Sequence, residues 1–329
     1  MLSFHKFSQA DLKEMPALTL LCFGRASTID FYHWKYYENS EGNVIGYVAK
    51  NEEGELVGYW GAIPDAYYIN GKKNVMYLAC DTMTHPNYRR MGIFEKLAAL
   101  TCDELKRQGK SLAKVFPGEI PYSGYIKKLH WKGLGRIKPH FKISLQLKIE
   151  ILLSKIIPSN PLFHFTDTDI ISEAINDLDK VISMQFPIAK ARDKSYLEWR
   201  FKDPSASHRI IYCYKNETLV GYCIYCIEKN LLLLIKDIYS LENDAYSMLF
   251  NKIYQITINN KLKGIYCWSN KNSFFSKLLK QRLFMKNPFN KGIMTYPFYF
   301  SVFENINVSP SNFITDIKNW NLLPIDYDG

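Results

Sequence analysis

Apolar and polar positions follow two rhythms along this chain, and the changes between them mark most of the elements. Over residues 8–25, Leu12, Met15, Leu18 and Leu21 recur at helical spacing behind Ser8 and Asp11, the pattern of an N-capped helix. The period then drops to two. Residues 46–49 and 56–63 read as strands joined by the turn Asn51-Glu52-Glu53-Gly54, and Asn70-Gly71 separates 66–69 from 75–83. These runs predict an antiparallel meander of three or four strands. From Ile93 the helical rhythm returns, with one face at positions 93, 94, 97, 98, 101 and 105. Lys106, Arg107 and Gly109 close this helix in the way its dipole and a left-handed cap favour. A strand over 111–116 and a short helix over 123–129 follow.

The second half repeats the first in outline. Glu55-Leu56-Val57-Gly58-Tyr59 reappears as Thr218-Leu219-Val220-Gly221-Tyr222. Trp34, in Phe31-Tyr32-His33-Trp34-Lys35, has a counterpart in Trp199, in Tyr196-Leu197-Glu198-Trp199-Arg200. The strand end Val115-Phe116 corresponds to Tyr266-Cys267-Trp268, which leads into a helix over 273–283. Three matches in order, at similar offsets, predict a duplicated domain. The joint falls within 146–165, where Pro158-Ser159-Asn160-Pro161 breaks regular structure, so the expected domains are 1–148 and 149–329.

Composition agrees with this division. A chain of 329 residues is long enough for two cores, and 47% hydrophobic with 22% charged residues is ordinary globular composition. The formal charge of +10 attracts anions, but the basic clusters (Lys72-Lys73, Arg89-Arg90, Lys127-Lys128) are short and read as solvated faces rather than a nucleic-acid track. Cys223 and Cys226 have metal-site spacing yet lie in a strand-like run, which points the thiols to opposite faces. No His pairs with Cys at zinc spacing, so no metal is expected, and the cysteine usage fits a reducing cytoplasm. The start of the chain has no apolar region of a signal peptide, and no apolar run is long enough to span a bilayer.

The segment that points to chemistry runs from Tyr77 to Phe94. A strand enters a short turn and then directly a helix, which aims the free amides of the first helical turn outward as an anion site suited to a pyrophosphate. Gly92 leaves room for a phosphate to approach the backbone, and Arg89 and Arg90 add charged donors. Through His85-Pro86-Asn87-Tyr88-Arg89-Arg90-Met91-Gly92-Ile93 and its flanking strands, residues 1–145 resemble the GNAT superfamily of N-acetyltransferases. That family carries Arg/Gln-x-x-Gly-x-Gly/Ala at this turn, and Phe94 stands here where it has Gly or Ala.

The resemblance implies two tandem GNAT-like domains of mixed α/β class, each a largely antiparallel twisted sheet flanked by helices. It implies an acetyl-CoA or other acyl-CoA donor, its pantetheine beside Met83 and Thr84 and its pyrophosphate on the amides of Arg89, Arg90, Met91, Gly92, Ile93 and Phe94. The attacking amine must lose a proton. Asp81, on the strand beside the thioester, is the first candidate base, with Glu119 and His85 as rivals. A hydroxyl for the departing thiolate is implied on the next helix, at Ser123 or Tyr125, with Tyr122 adjacent. In the second half, Ser240-Leu241-Glu242-Asn243-Asp244 lacks the Arg and Gly and carries acids where a pyrophosphate would sit. That half is therefore expected to complete the acceptor pocket, with Glu119, Tyr122, Trp199 and Arg200 as candidates, and Tyr239 and Trp268 beside them.

The tandem arrangement is similar to bacterial N-acyltransferases of cell-surface polysaccharide synthesis. This similarity implies a small-molecule amine acceptor, a nucleotide-linked amino-deoxy sugar, handled by a cytoplasmic monomer without a nucleic-acid or membrane partner. Three rivals stand beside it: a tRNA-dependent aminoacyltransferase of the peptidoglycan-bridge type, an acetyltransferase of a polyamine, peptide or aminoglycoside, and a non-catalytic acyl-CoA sensor.

Overall fold

The computed structural model of the chain describes all residues except 111, 155–161, 230, 272, 287–297, 305–311 and 328–329. The first half begins with β1 (Ser3–Lys6), a 3₁₀ turn over Gln9–Glu14, α1 (Met15–Phe23) and α2 (Ile29–Tyr37). The helix expected over 8–25 is thus two pieces. Pro in the first turn of α1 has no amide to continue the 3₁₀ ladder, so the chain restarts there as an α-helix. The meander follows as β2 (Ile45–Lys50), β3 (Leu56–Ile69) and β4 (Lys72–Thr84). The runs 56–63 and 66–69 are one strand, continuous through Pro64. Beyond Ala62 the partner β2 has ended, so the missing amide of Pro64 costs no ladder bond on that side.

Next come α3 (Ile93–Arg107), β5 (Leu112–Val115), α4 (Glu119–Lys127), β6 (Lys132–Ile143) and α5 (Ser144–Ser154). α4 starts four residues before the expected 123, because Pro121 is tolerated in a first helical turn. The second half contains β7 (Phe163–Thr168), α6 (Ile175–Gln185), β8 (Ile188–Lys190), α7 (Lys194–Phe201), β9 (His208–Lys215), β10 (Thr218–Ile227) and β11 (Leu232–Ser240). It continues with α8 (Asn243–Asn259), β12 (Gly264–Ser269), α9 (Phe274–Gln281), β13 (Met285–Lys286), β14 (Phe298–Glu304) and β15 (Trp320–Asn321).

The strands join in the order β1-β2-β3-β4-β5-β14-β6-β12-β11-β10-β9-β7. From either edge the order is the same: antiparallel strands to the fourth, then a parallel pair, β4 with β5 and β11 with β12. The two inner strands are exchanged. β14, late in the chain, pairs with β5, while β6 pairs with β12, and β6 and β14 pair with each other at the centre. The duplication is visible in single bonds: His85 N donates to Val57 O and Leu241 N donates to Val220 O, both at 2.8 Å.

One core cluster runs through both halves, and a second, around Trp60, Leu97 and Trp131, lies under α3. A buried charge network also joins the halves. Asp65 on β3 forms ion pairs with Lys114, at 2.7 Å, and with Lys190 of β8, and Arg192 pairs with Asp237. Tyr67 Oη donates to Asp326 Oδ1 at 2.6 Å, which brings the C-terminal segment between the halves. The seven cysteines form no disulfide, and Cys223 and Cys226 are buried on β10. Among the described residues no helix is long and apolar enough to cross a membrane.

Candidate functional site

β4 and β5 pair only as far as Ala79 and Val115. β4 then runs on to Thr84 while the chain leaves β5 for α4, and the two diverge. A cavity of ≈ 290 Å³ fills the opening, lined in part by Arg25, Lys35, Asp81, Thr82, Pro117 and Tyr125. A bulge helps to make it: Tyr59 faces Met83 and Gly61 faces Cys80, so Asp81 and Thr82 together oppose Trp60. Asp81 takes φ 48, a left-handed conformation that an Asp tolerates.

The turn expected to take the phosphates follows at once. Pro86–Tyr88 form a 3₁₀ turn, Arg90 has φ 67, and Gly92, at φ 74, is the N-cap of α3. No side chain caps this helix, so its first amides face outward. A β-carbon at Gly92 would meet no atom within 4 Å. Arg89, Arg90 and Met91 are exposed at the same edge, while Ile93 is buried beneath α3. α3 lies close on β3: a β-carbon at Gly58 would come within 2.6 Å of Ile93. These residues fit a diphosphate, with an open backbone cradle and two exposed arginines beside it in the chain. Phe94 does not fill the cradle. Its ring turns to α4, edge-on to Tyr125 at 5.4 Å, where the bare Gly124 makes room: a β-carbon there would lie 3.1 Å from the Phe94 ring.

Of the candidate hydroxyls, only Tyr125 lines the cavity between the strands. It is 1% exposed, its Oη lies 3.0 Å from Thr82 Oγ1, and burial pushes its phenol well above the usual range, so it stays protonated. Ser123 is exposed on the outer face of α4, and Tyr122 Oη sits over Gly133 of β6; neither lines the cavity. The side chain of Glu119 lies outside the described residues. His85 makes a local cap, its Nδ1 accepting from Asn87 N at 3.2 Å.

Asp81 is the one carboxylate among the described residues lining the cavity. Its Oδ2 accepts from Lys35 Nζ at 2.6 Å and from Tyr36 Oη at 2.8 Å, and Oδ1 faces Arg25 at 3.8 Å. Lys35 is 1% exposed, so the pair is internal and fixed. Met83 and Thr84 continue the strand; Met83 packs inward with Thr19 donating to its sulfur, and Thr84 O accepts from Cys22 Sγ.

Of the remaining candidates, Trp199, Arg200 and Trp268 lie between the halves. Trp199 stacks on Trp34 and is buried there, outside the cavity lining. Arg200 donates Nη2 to Tyr327 O at 2.9 Å and lines a separate cleft of ≈ 810 Å³ that shares Arg25 with the first cavity. Trp268 packs on Phe116, and Tyr239 lines a cavity at the end of β11. At that end of the second half, Glu242 pairs with Lys215 at 2.9 Å in place of a phosphate turn. Sequence reasoning missed Arg25, Lys35, Thr82 and Lys236. A lysine in the aromatic run Trp34-Lys35-Tyr36-Tyr37 was the available signal for Lys35; the others follow from the bulges and the cleft, which pattern does not reveal.

Residues 3–128 match the family model described as an acetyltransferase (GNAT) domain. The first half therefore matches a GNAT acetyltransferase domain over that stretch, and the chain as a whole has the fold of tandem GNAT domains. Three solved structures resemble it over 92% of this chain. They are a GCN5-related N-acetyltransferase from Anabaena variabilis (14% identity, TM-score 0.67, 72% of that chain) and a probable N-acyltransferase from Enterococcus faecalis (16%, 0.65, 72%). The third is a tandem GNAT protein from the clavulanic acid biosynthesis pathway (12%, TM-score 0.63, 98% of that chain). No curated protein sequence matches the chain.

Proposed function

We propose that the chain moves an acetyl or longer acyl group from acyl-coenzyme A to a primary amine of an anionic small molecule. Residues 1–148 would carry the donor and 149–329 complete the acceptor side. The observation that supports this most directly is the uncapped start of α3 behind Gly92, set beside the β4–β5 opening that holds Asp81 and Tyr125.

Arg89 and Arg90 with the turn amides through Phe94 would hold the phosphates, and β4 from Thr82 to Thr84 would align the arm. The bound donor supplies a thioester carbonyl open to attack. The Tyr125 hydroxyl, kept protonated by burial, holds a proton near Thr82 for the departing sulfur. Asp81, anchored through Oδ2, keeps Oδ1 for the proton of the amine, directly or through one water. The second half lacks a phosphate turn, so one donor binds per chain.

A nucleotide-linked amino-deoxy sugar fits an acceptor side that carries Arg25 and Arg200, and a cytoplasmic monomer fits two halves that cover each other. A screen of amino-sugar nucleotides and simpler amines with acetyl-CoA, read by release of free thiol, tests the reading. Thiol release with one class of amine supports it. Coenzyme A that fails to bind, or binds with no amine supporting turnover, overturns it.

A further inference from the structure

The two halves are matched residue by residue around their tryptophans, yet they treat the following residue oppositely. After Trp34 comes Lys35, which neutralises Asp81 at the bulge of β4. After Trp199 comes Arg200, and the bulge of its own half, on β11, contains Lys236: Ile224 pairs with Asp237 and Tyr225 with Ile235, leaving Lys236 between. Counted back from Thr84 and Ser240, which face Gly58 and Gly221, Asp81 corresponds to Asp237, and Asp237 is paired with Arg192. Lys236, one residue further back along the strand, and Arg200 are thus two cations outside that pair.

Their surroundings do not make up the deficit. Lys236 is 8% exposed and has no carboxylate within ion-pair distance among the described residues. Burial and the neighbouring Arg200 hold its ammonium below the usual lysine range. Arg200 is 2% exposed, and its Nε has no hydrogen-bond partner. His208, 4% exposed with both ring nitrogens unbonded, is kept neutral by burial and by these same two cations. The nearby acids, Asp203 and Glu228, act on Lys236 only from beyond ion-pair distance; Asp203 accepts from Ser205 N and Oγ, and Glu228 from Tyr266 Oη. Arg200 and Lys236 line the ≈ 810 Å³ cleft together with Arg25 and Lys229, against Asp203 and Glu228. Arg25 is also 3.8 Å from Asp81, so it is a wall common to the cleft and the proposed acyl-transfer cavity.

We propose that this cleft is an oxyanion subsite in which Arg200 and Lys236 bind a phosphate or carboxylate group of the acceptor, while its amine reaches Asp81 past Arg25. The substrate supplies the counter-charge that Arg200 and Lys236 lack. Two buried cations in a concave site concentrate anions, and each charge-assisted hydrogen bond gained strengthens the bound form. The subsite deepens the acyltransferase reading and rests on it for the placement of the amine.

The experiment is calorimetric titration of the full chain, saturated with coenzyme A in a chloride-free buffer, with inorganic phosphate and separately with acetate. Thermal melts accompany it. We expect at least one anion to bind and to raise Tm, and the stronger of the two identifies the acceptor group. Lys236→Met keeps the aliphatic packing, so it should weaken that anion roughly tenfold or more, leave coenzyme A affinity unchanged, and hold or raise Tm without anion. Wild-type protein that binds neither anion, or a Lys236→Met protein that binds as tightly, overturns the subsite. A lower Tm in Lys236→Met with unchanged anion binding also overturns it, as the mark of a structural lysine. Phosphate or acetate binding lost in Lys236→Met while wild type takes no coenzyme A would support the subsite and retire the acyltransferase reading alone.

Discussion

Trp34 and Trp199, 165 residues apart, stack with ring centroids 4.9 Å apart and planes at 14°, each indole N–H donating to the other's main-chain carbonyl. The bonds, at 2.8 and 3.2 Å, are reciprocal, as the contacts across a two-fold axis in a homodimer are reciprocal. Here both partners belong to one chain. The exchange of β6 and β14 across the sheet centre repeats that relationship in the backbone. The fold is a dimer of like halves written as a single polypeptide, and each half is completed by a strand from the other.

The tryptophan pair should therefore act as one unit of stability. Both rings are buried, at 3% and 6% exposure. Trp199→Ala opens a cavity and strips a carbonyl of its donor, at a cost of about 3–5 kcal/mol. In a double-mutant cycle with Trp34→Ala, read by chemical denaturation, the coupling should be about 1–3 kcal/mol. Additive losses would mean that the stacking carries no energy of its own.

Much of the first half was legible because its pattern is local. Asn70-Gly71 fixed the β3–β4 hairpin, and the strand–turn–helix from Met83 to Phe94 follows the sequence almost residue for residue. The repeat was legible through Val57 and Val220, which accept the same turn bond in both halves. The exchanged strands were not. β6 contains Gly133, Gly135 and Pro139, breakers that hide a strand, and its partners lie more than a hundred residues away. The environment of Asp81 was hidden for the same reason: a bulge sets its direction, and Lys35 comes from a helix that the apolar pattern did not mark. The choice between Ser123 and Tyr125 depended on where α4 begins, and its early start at Glu119 turns Tyr125 into the opening.

Tyr125→Phe tests the proton donor without disturbing the core, since only the hydroxyl is lost. Its ring stays packed on Phe94 and Trp131. If the hydroxyl protonates the departing thiolate, kcat with acetyl-CoA falls roughly 10²-fold and the KM for acetyl-CoA changes little. The loss should shrink with a thioester whose thiol is more acidic. Equal losses with both thioesters would assign Tyr125 a structural part through Thr82.

Asp81→Asn cannot be interpreted alone. It takes the Asp81 charge away from the buried Lys35, which costs up to about 3–5 kcal/mol. The pair Asp81→Asn with Lys35→Met removes both charges and should restore most of that stability. If Asp81 takes the amine proton, this double variant keeps its fold and its coenzyme A affinity but loses turnover, most strongly at low pH, where less of the amine is deprotonated. A folded double variant with an unaltered pH–rate profile would move the base elsewhere.

Asp179 provides a test of the interface by pH. It lies on α6, 1% exposed, and bridges the halves: Oδ1 accepts from Arg192 N at 2.8 Å and Oδ2 from Tyr68 Oη of β3 at 3.0 Å. Burial raises its carboxyl from 3.8 to about 6, with Arg192 and Tyr68 opposing. The folded state thus binds this proton more tightly than the unfolded chain. The contribution is fully present below pH 3.8, fades as pH rises through about 6, and is absent above. Asp179→Asn mimics the protonated group and keeps an acceptor for Arg192 N. It should be more stable than wild type at pH 8, by on the order of 3 kcal/mol, and the difference should close between pH 6 and pH 4. Urea denaturation of both proteins across that range measures it. A variant less stable at pH 8, or a gap that stays constant with pH, would mean that Arg192 and Tyr68 keep the carboxylate ionised in spite of its burial.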